Sequence, residues 1–168
     1  MNRDELVTTL KGTALSDILI PGFLDQEETP VRFRALPDAV YLDCEGTLIE
    51  LQTVRTTGTM RIALAEAVRA HPDLEEEMPP AVASLGQQLL NDTENSHPLT
   101  AIRLWNVRGS EADLTCEALQ LDLANGQQVF IDPTYHFGIR IGGTEQREIW
   151  RENQRATPTE HVIDLAGG

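Results

Sequence analysis

The sequence predicts an α+β fold, mainly an antiparallel β-sheet built from hairpins with a few short helices packed on it. Three observations predict it. Apolar residues alternate with period two from Val31 onward, Glu45-Gly46 and Asn125-Gly126 stand between alternating runs as hairpin turns, and helical spacing is limited to short stretches. The 168 residues are expected to form one domain over 1–168, because roughly 100 to 200 residues is the common size of a single domain. With 40% hydrophobic residues but only 5% aromatic ones, its core must rely on Leu, Ile, Val and Ala.

Asn2 and Glu5 have the spacing of a capping box, in which each side chain satisfies a free backbone N–H at a helix start. A helix over residues 3–11 follows, with Leu6, Val7 and Leu10 as its apolar stripe and Gly12 as its stop. Residues 15–24 are apolar but broken by Pro21-Gly22, which reads as a second short turn of helix and then a bend. Alternation in Val31, Phe33 and Ala35, and again in Val40 and Leu42, indicates strands. A two-residue turn at Glu45-Gly46 then sets Cys44 opposite Thr47, Leu42 opposite Ile49 and Val40 opposite Leu51. Met60, Ile62 and Leu64 alternate as a third strand, although residues 63–70 also have strong helix propensity.

The connection 71–80 is acidic, bounded by proline and expected to be exposed. Residues 81–90 have helical spacing in Val82, Leu85 and Leu89, weakened by Gly86, and a strand is expected at 101–106. Two registers compete around Asn125-Gly126. A two-residue turn places Asp132 on the apolar face opposite Leu119, whereas a three-residue loop over 124–126 pairs Leu121 with Val129 and Leu119 with Ile131. The hydrophobic pattern favours the second. Asp132-Pro133 is expected to end that strand, Ile139 and Ile141 to form another, and residues 144–154 to form a helix docked by Ile149 and Trp150. The tail, 155–168, is expected to be loosely ordered, with an edge pairing over 162–165.

Charge is the compositional outlier: 27 acidic against 13 basic residues give a formal charge of -14. Nucleic acid is therefore an unsuitable partner, since a phosphate backbone is repelled and no basic cluster occurs, only scattered pairs such as Arg32 and Arg34. A basic protein or a cation is what such a field attracts, although the same acidity also serves solubility alone. Twelve of the 13 basic residues are arginine, a bias associated with bacterial genomes rich in G and C. Cys44 and Cys116 are too few for a disulfide framework and lack CxxC spacing, so both read as small, half-buried strand residues. The opening MNRDELVTTLKG carries charge where a secretory leader needs an apolar core, and no stretch approaches the ~20 apolar residues of a membrane span. A cytoplasmic protein without membrane contact is expected.

No GxSxG, GxGxxG or P-loop pattern occurs, and His71, His97, His136 and His161 are too scattered for a helical pair of metal ligands. No catalytic residue, metal or cofactor is therefore assigned. The candidate partner-binding residues are Glu75, Glu76 and Glu77 in the acidic run and Asp132, Tyr135 and His136 in the aromatic loop after a strand. Each has a plainer reading. A charge run is usually a solvated loop, and Phe130, Phe137 and Ile139 can close the core while Asp132 caps a turn. Asp43, Glu45, Asp132 and His136 offer a second class of function, a small hydrolase with a dispersed site for a divalent cation. A third is a scaffold that pairs with itself through an exposed strand edge.

With its strand, NGQ turn, FIDPTYHFGIRIGG and earlier hairpin around Cys44-Glu45-Gly46, the segment 119–143 resembles small bacterial immunity-type proteins of contact-dependent and polymorphic toxin systems. The resemblance covers the C-terminal third and carries over no site residue. It implies a non-enzymatic inhibitor whose acidic surface occludes a basic face of a toxin.

Overall fold

A computed structural model describes residues 1–72, 74–75, 77–91, 96–108 and 113–166. Among them the order of elements is α1 (Arg3–Leu10), β1 (Ala14–Asp25), β2 (Arg32–Ala35), β3 (Ala39–Cys44), β4 (Thr47–Val54), β5 (Thr59–Ala65), β6 (Pro80–Ser84), α2 (Gly86–Leu89), β7 (His97–Trp105), β8 (Leu114–Cys116), β9 (Ala118–Leu123), β10 (Gln128–Tyr135), β11 (Gly138–Gly142), α3 (Thr144–Glu152) and β12 (Glu160–Asp164). The class is α+β, and every strand pairing is antiparallel. The hydrogen-bonded path runs β11-β10-β9-β7-β1-β3-β4-β5-β8, with β12 added to β7 and with β2 and β6 added to β1.

The capping box forms as expected: Glu5 N donates to Asn2 Oδ1 at 2.9 Å and Asn2 N to Glu5 Oε2 at 2.8 Å. Leu6 and Leu10 then bury one face of α1 in the main core. The β3–β4 register has the expected partners, Cys44 with Thr47, Leu42 with Ile49 and Val40 with Leu51. The β9–β10 hairpin takes the three-residue loop, pairing Leu121 with Val129 and Leu119 with Ile131. Gly126 in that loop has a φ of 84°, a left-handed conformation that favours glycine.

Three expectations are corrected, and one alternative left open is resolved. Residues 15–24 are not a helical turn and bend but most of β1, which runs straight through Pro21-Gly22. The proline's missing N–H falls where β3 gives way to β2 along that edge, and its carbonyl accepts from Leu36 N at 2.9 Å. Gly22 is needed because a Cβ there would lie 2.1 Å from the carbonyl oxygen of Arg34. Residues 81–90 do not form one helix: the segment pairs with β1 as β6 before the single turn of α2. There Asp17 accepts from Ser84 Oγ at 2.7 Å and from Gly86 N at 2.8 Å, ending the strand and starting the turn. The helix propensity of residues 63–70 yields to pairing, since β5 reaches Ala65 against β4. The tail is not loose over its whole length, because β12 pairs with β7 through five residue pairs and buries Ile163, with Leu165 buried just beyond it.

The interior has two compartments. Leu119, Leu121, Val129 and Ile131 from β9–β10 share one cluster with Val40, Leu42, Ile49, Leu51, Met60 and Ile62 from β3–β5. The opposite face of β7, β9 and β10 is also covered, because Trp150 of α3 packs with Trp105, Ala118 and Phe130. Ring centroids in that trio lie 5.4–5.7 Å apart at tilted or edge-on angles, the geometry aromatic quadrupoles prefer. Ile149, expected to dock beside Trp150, is instead 48% exposed. Trp150 thus does most of the docking of α3. Trp150→Ala should cost about 3–5 kcal/mol in urea denaturation, with α3 amides losing hydrogen-exchange protection before those of β9.

Candidate functional site

The β10–β11 hairpin carries the aromatic run that the sequence singles out. Asp132 sits at its base, buried, and does not end the strand: β10 continues to Tyr135 through a register irregularity that accommodates Pro133. Its Oδ1 accepts from Thr134 N at 2.9 Å and Thr134 Oγ1 at 2.5 Å, the side-chain turn mimicry typical of Asp. Its Oδ2 accepts from Gln146 Nε2 of α3 at 3.0 Å. The hairpin is also pinned from below. Ile139 N donates to the carbonyl of Pro37 at 2.7 Å, and Gly138, with a φ of 119°, approaches so closely that a Cβ would lie 2.5 Å from that carbonyl oxygen.

Beyond these anchors the tip is open. Phe137 is 68% exposed and does not help close the core, a task left to Phe130 and Ile139. Its ring meets Tyr135 edge-on at 5.4 Å and His136 at 5.0 Å. The Arg140 guanidinium carbon lies 3.4 Å from the centre of the Tyr135 ring, a cation–π contact contributing ~0.5–1 kcal/mol at an exposed site. Tyr135 stands between two depressions. A cleft of about 1020 Å³ separates the hairpin from α3 and the turn after it, and a smaller one of about 330 Å³ borders Asp38, Arg55 and His136.

A second polar cluster, which the sequence reading does not single out, lies on the outer face of β3–β4. Asp38 accepts from Arg55 Nη2 at 2.7 and 2.8 Å and lies 3.1 Å from His71 Nε2. Burial acts to raise the Asp38 carboxyl, but the hydrogen bonds and charges of Arg55 and His71 outweigh it and hold the group below its ordinary value of 3.8. Beside it, buried Glu50 accepts from the Tyr41 hydroxyl at 2.7 Å, and Arg69 Nη2 is 3.8 Å from its other oxygen. Burial and the Glu50 hydrogen bond push the Tyr41 phenol up. These groups line a depression of about 550 Å³.

Of the partner-binding candidates, Asp132, Tyr135 and His136 come together on one hairpin. Glu75 and Glu77 are exposed and line none of these depressions, and Glu76 lies outside the described residues. The dispersed hydrolase residues are not brought together. The hairpin docks on Pro37 at one end of β3, whereas Asp43 and Glu45 stand at the other, ~20 Å away at about 3.3 Å per residue. There Asp43 caps the turn by accepting from Gly46 N at 2.8 Å. Among the described residues, no three His, Cys, Asp or Glu side chains cluster as a metal site. No helix is long and apolar enough to cross a membrane among the described residues. No family model, curated protein or solved structure matches the chain.

Both cysteines are fully rather than half buried, and desolvation pushes the Cys44 thiol up to about 12 and raises that of Cys116 further. Neither thiol should react with a disulfide reagent in the native protein at neutral pH, and both should react after denaturation, as a spectrophotometric thiol count will show. For Asp38 the sign follows from its lowered native value: its stabilisation is fully present above the unfolded value and is lost as pH falls through the native one. Asp38→Asn should therefore flatten the acid limb of the stability profile below about pH 5, measured by urea midpoints, with little change of slope at neutral pH.

Proposed function

We propose that the chain is a non-enzymatic, acidic protein-binding module that presents the β10–β11 tip to a basic protein, as an immunity-type inhibitor presents its surface to a toxin. The observation that carries this reading is the exposure of Phe137, flanked by Tyr135 and His136, on a hairpin fixed by Pro37, Gly138 and Asp132. Aromatic side chains lose little rotamer entropy on binding and are enriched at interface hot spots, and a pre-anchored hairpin reduces the ordering cost. Exposed Glu27, Glu45, Glu66, Glu75 and Glu77 make no ion pair among the described residues, so the negative field extends outward and steers a cationic partner. The buried thiols and the separation of Asp43 and Glu45 from His136 favour binding over hydrolysis.

The test is capture of the products of neighbouring genes on the immobilised chain at about 0.05 and 0.5 M salt. A basic neighbour should be retained at low salt and weakened at high salt, and Phe137→Ala should reduce its affinity by at least about tenfold. Failure to retain any neighbour, retention indifferent to salt, or unchanged affinity in Phe137→Ala would each defeat the reading.

A further inference from the structure

The chain has more than twice as many acids as bases, yet the cleft of about 1020 Å³ between α3 and the β10–β11 hairpin offers unmet positive charge. Among the described residues, arginines 32, 34, 55, 69, 103, 108, 147 and 151 each pair with a carboxylate. Arg3, Arg61, Arg140 and Arg155 do not, and the last two line this cleft. For Arg140 the omission is informative, because its register partner across β10–β11 is Asp132. An opposite-charge pair facing one another in this way ordinarily forms a contact. Here Thr134 and Gln146 occupy the Asp132 oxygens instead, while the guanidinium lies over Tyr135. The other carboxylate of the cleft, Glu117, is likewise engaged, accepting from Asn106 Nδ2 at 2.7 Å and from Arg108 Nη2 at 2.6 Å. The acids of the cleft are thus satisfied from within.

We propose that the cleft between α3 and the β10–β11 hairpin is a binding site for a carboxylate-bearing ligand, gripped by Arg140 with Arg155 supplying a second positive charge. The guanidinium carbon lies over Tyr135 and no N–H of Arg140 donates to a carboxylate among the described residues, so its planar fork, which matches a carboxylate in bidentate fashion, is left for a ligand. A carboxylate suits the site better than a phosphate dianion, because Asp132 and Glu117 also border it and repel the greater charge more strongly. The inference does not depend on the basic partner proposed above, since it concerns the cleft beside Tyr135 rather than the Phe137 tip, and a ligand of opposite sign.

The test is an NMR titration of the full chain with succinate, and separately with N-acetylglutamate amide, at constant ionic strength set by chloride. Saturable shifts in the millimolar range or tighter, centred on Tyr135, Arg140 and Thr157, are expected with at least one acid. Tighter binding of succinate identifies a free organic acid as the source, and tighter binding of the glutamate amide identifies an acidic side chain of a partner. Arg140→Ala should weaken binding roughly tenfold or more and Arg140→Lys should fail to restore it, while Arg61→Ala, which removes an arginine outside the cleft, should leave it unchanged. The unliganded spectrum of each variant verifies its fold. Shifts that do not saturate, equal binding by Arg140→Ala, or tighter binding of inorganic phosphate would overturn the proposal.

Discussion

The backbone of β1 forms hydrogen-bonded ladders with four other strands, and the remaining architecture hangs on that arrangement. Along one edge β3 and then β2 pair with it, and along the other β7 and then β6 do. The strand is twelve residues long because it must span both pairs. It links the β3–β5 meander to the sheet of β7, β9, β10 and β11, so the two sets of strands enclose one apolar cluster rather than two. Glu117 supplies a second link where β8, paired to β5, passes directly into β9, paired to β7.

Because the inner face of β9–β10 belongs to that cluster, the outer face must be covered or solvated, and α3 covers it. Ala118 and Phe130 accept Trp150, but Gln120 and Asp132 lie on the same face and are buried too. A buried polar side chain must find partners within the protein. Gln120 accepts from Arg147 Nη1 at 3.1 Å and Asp132 from Gln146, so polar residues of α3 meet both. The same hydrogen bond from Gln146 fixes the base of the exposed hairpin, so the geometry of the hairpin tip depends on helix docking some residues away.

Much of this was legible in the sequence where a residue's role is local. The capping box of α1, the Glu45-Gly46 turn and the three-residue loop of β9–β10 follow from side-chain chemistry and alternation within a few residues of each feature. What was not legible depends on distant partners. Leu15 to Leu24 reads as a broken helix until four strands are present to pair with it, and residues 81–84 become a strand only because β1 offers an edge. The Tyr41–Glu50 pair is an intermediate case. The register that sets Leu42 against Ile49 also sets Tyr41 against Glu50, but alternation assigns both to the wetted face. They are buried because the chain around Arg69 folds back over them, Arg69 N donating to the Tyr41 hydroxyl at 3.2 Å. At the candidate site the sequence marks Tyr135 and His136 as neighbours, whereas the cleft beside them requires α3, the Asn106 turn and residues 153–159 to converge.

Net charge therefore describes this molecule poorly at the scale of a binding site. Counter-charge is concentrated in pairs and small networks, such as Arg103 between Asp122 and Glu160 at 2.7 and 2.9 Å. Those pairs neutralise particular strand faces and leave unpaired carboxylates in exposed loops and turns, from which the field reaches outward over about a Debye length. Within the cleft the order is reversed: carboxylates are bonded inward, while Arg140 and Arg155, paired with no carboxylate among the described residues, line it. On the two proposed readings, an approaching molecule meets attraction for cations at long range and, at contact, a site that accepts an anion. A ligand or partner carrying only one sign satisfies half of that pattern, so the arrangement discriminates by the spatial order of charges more than by their sum.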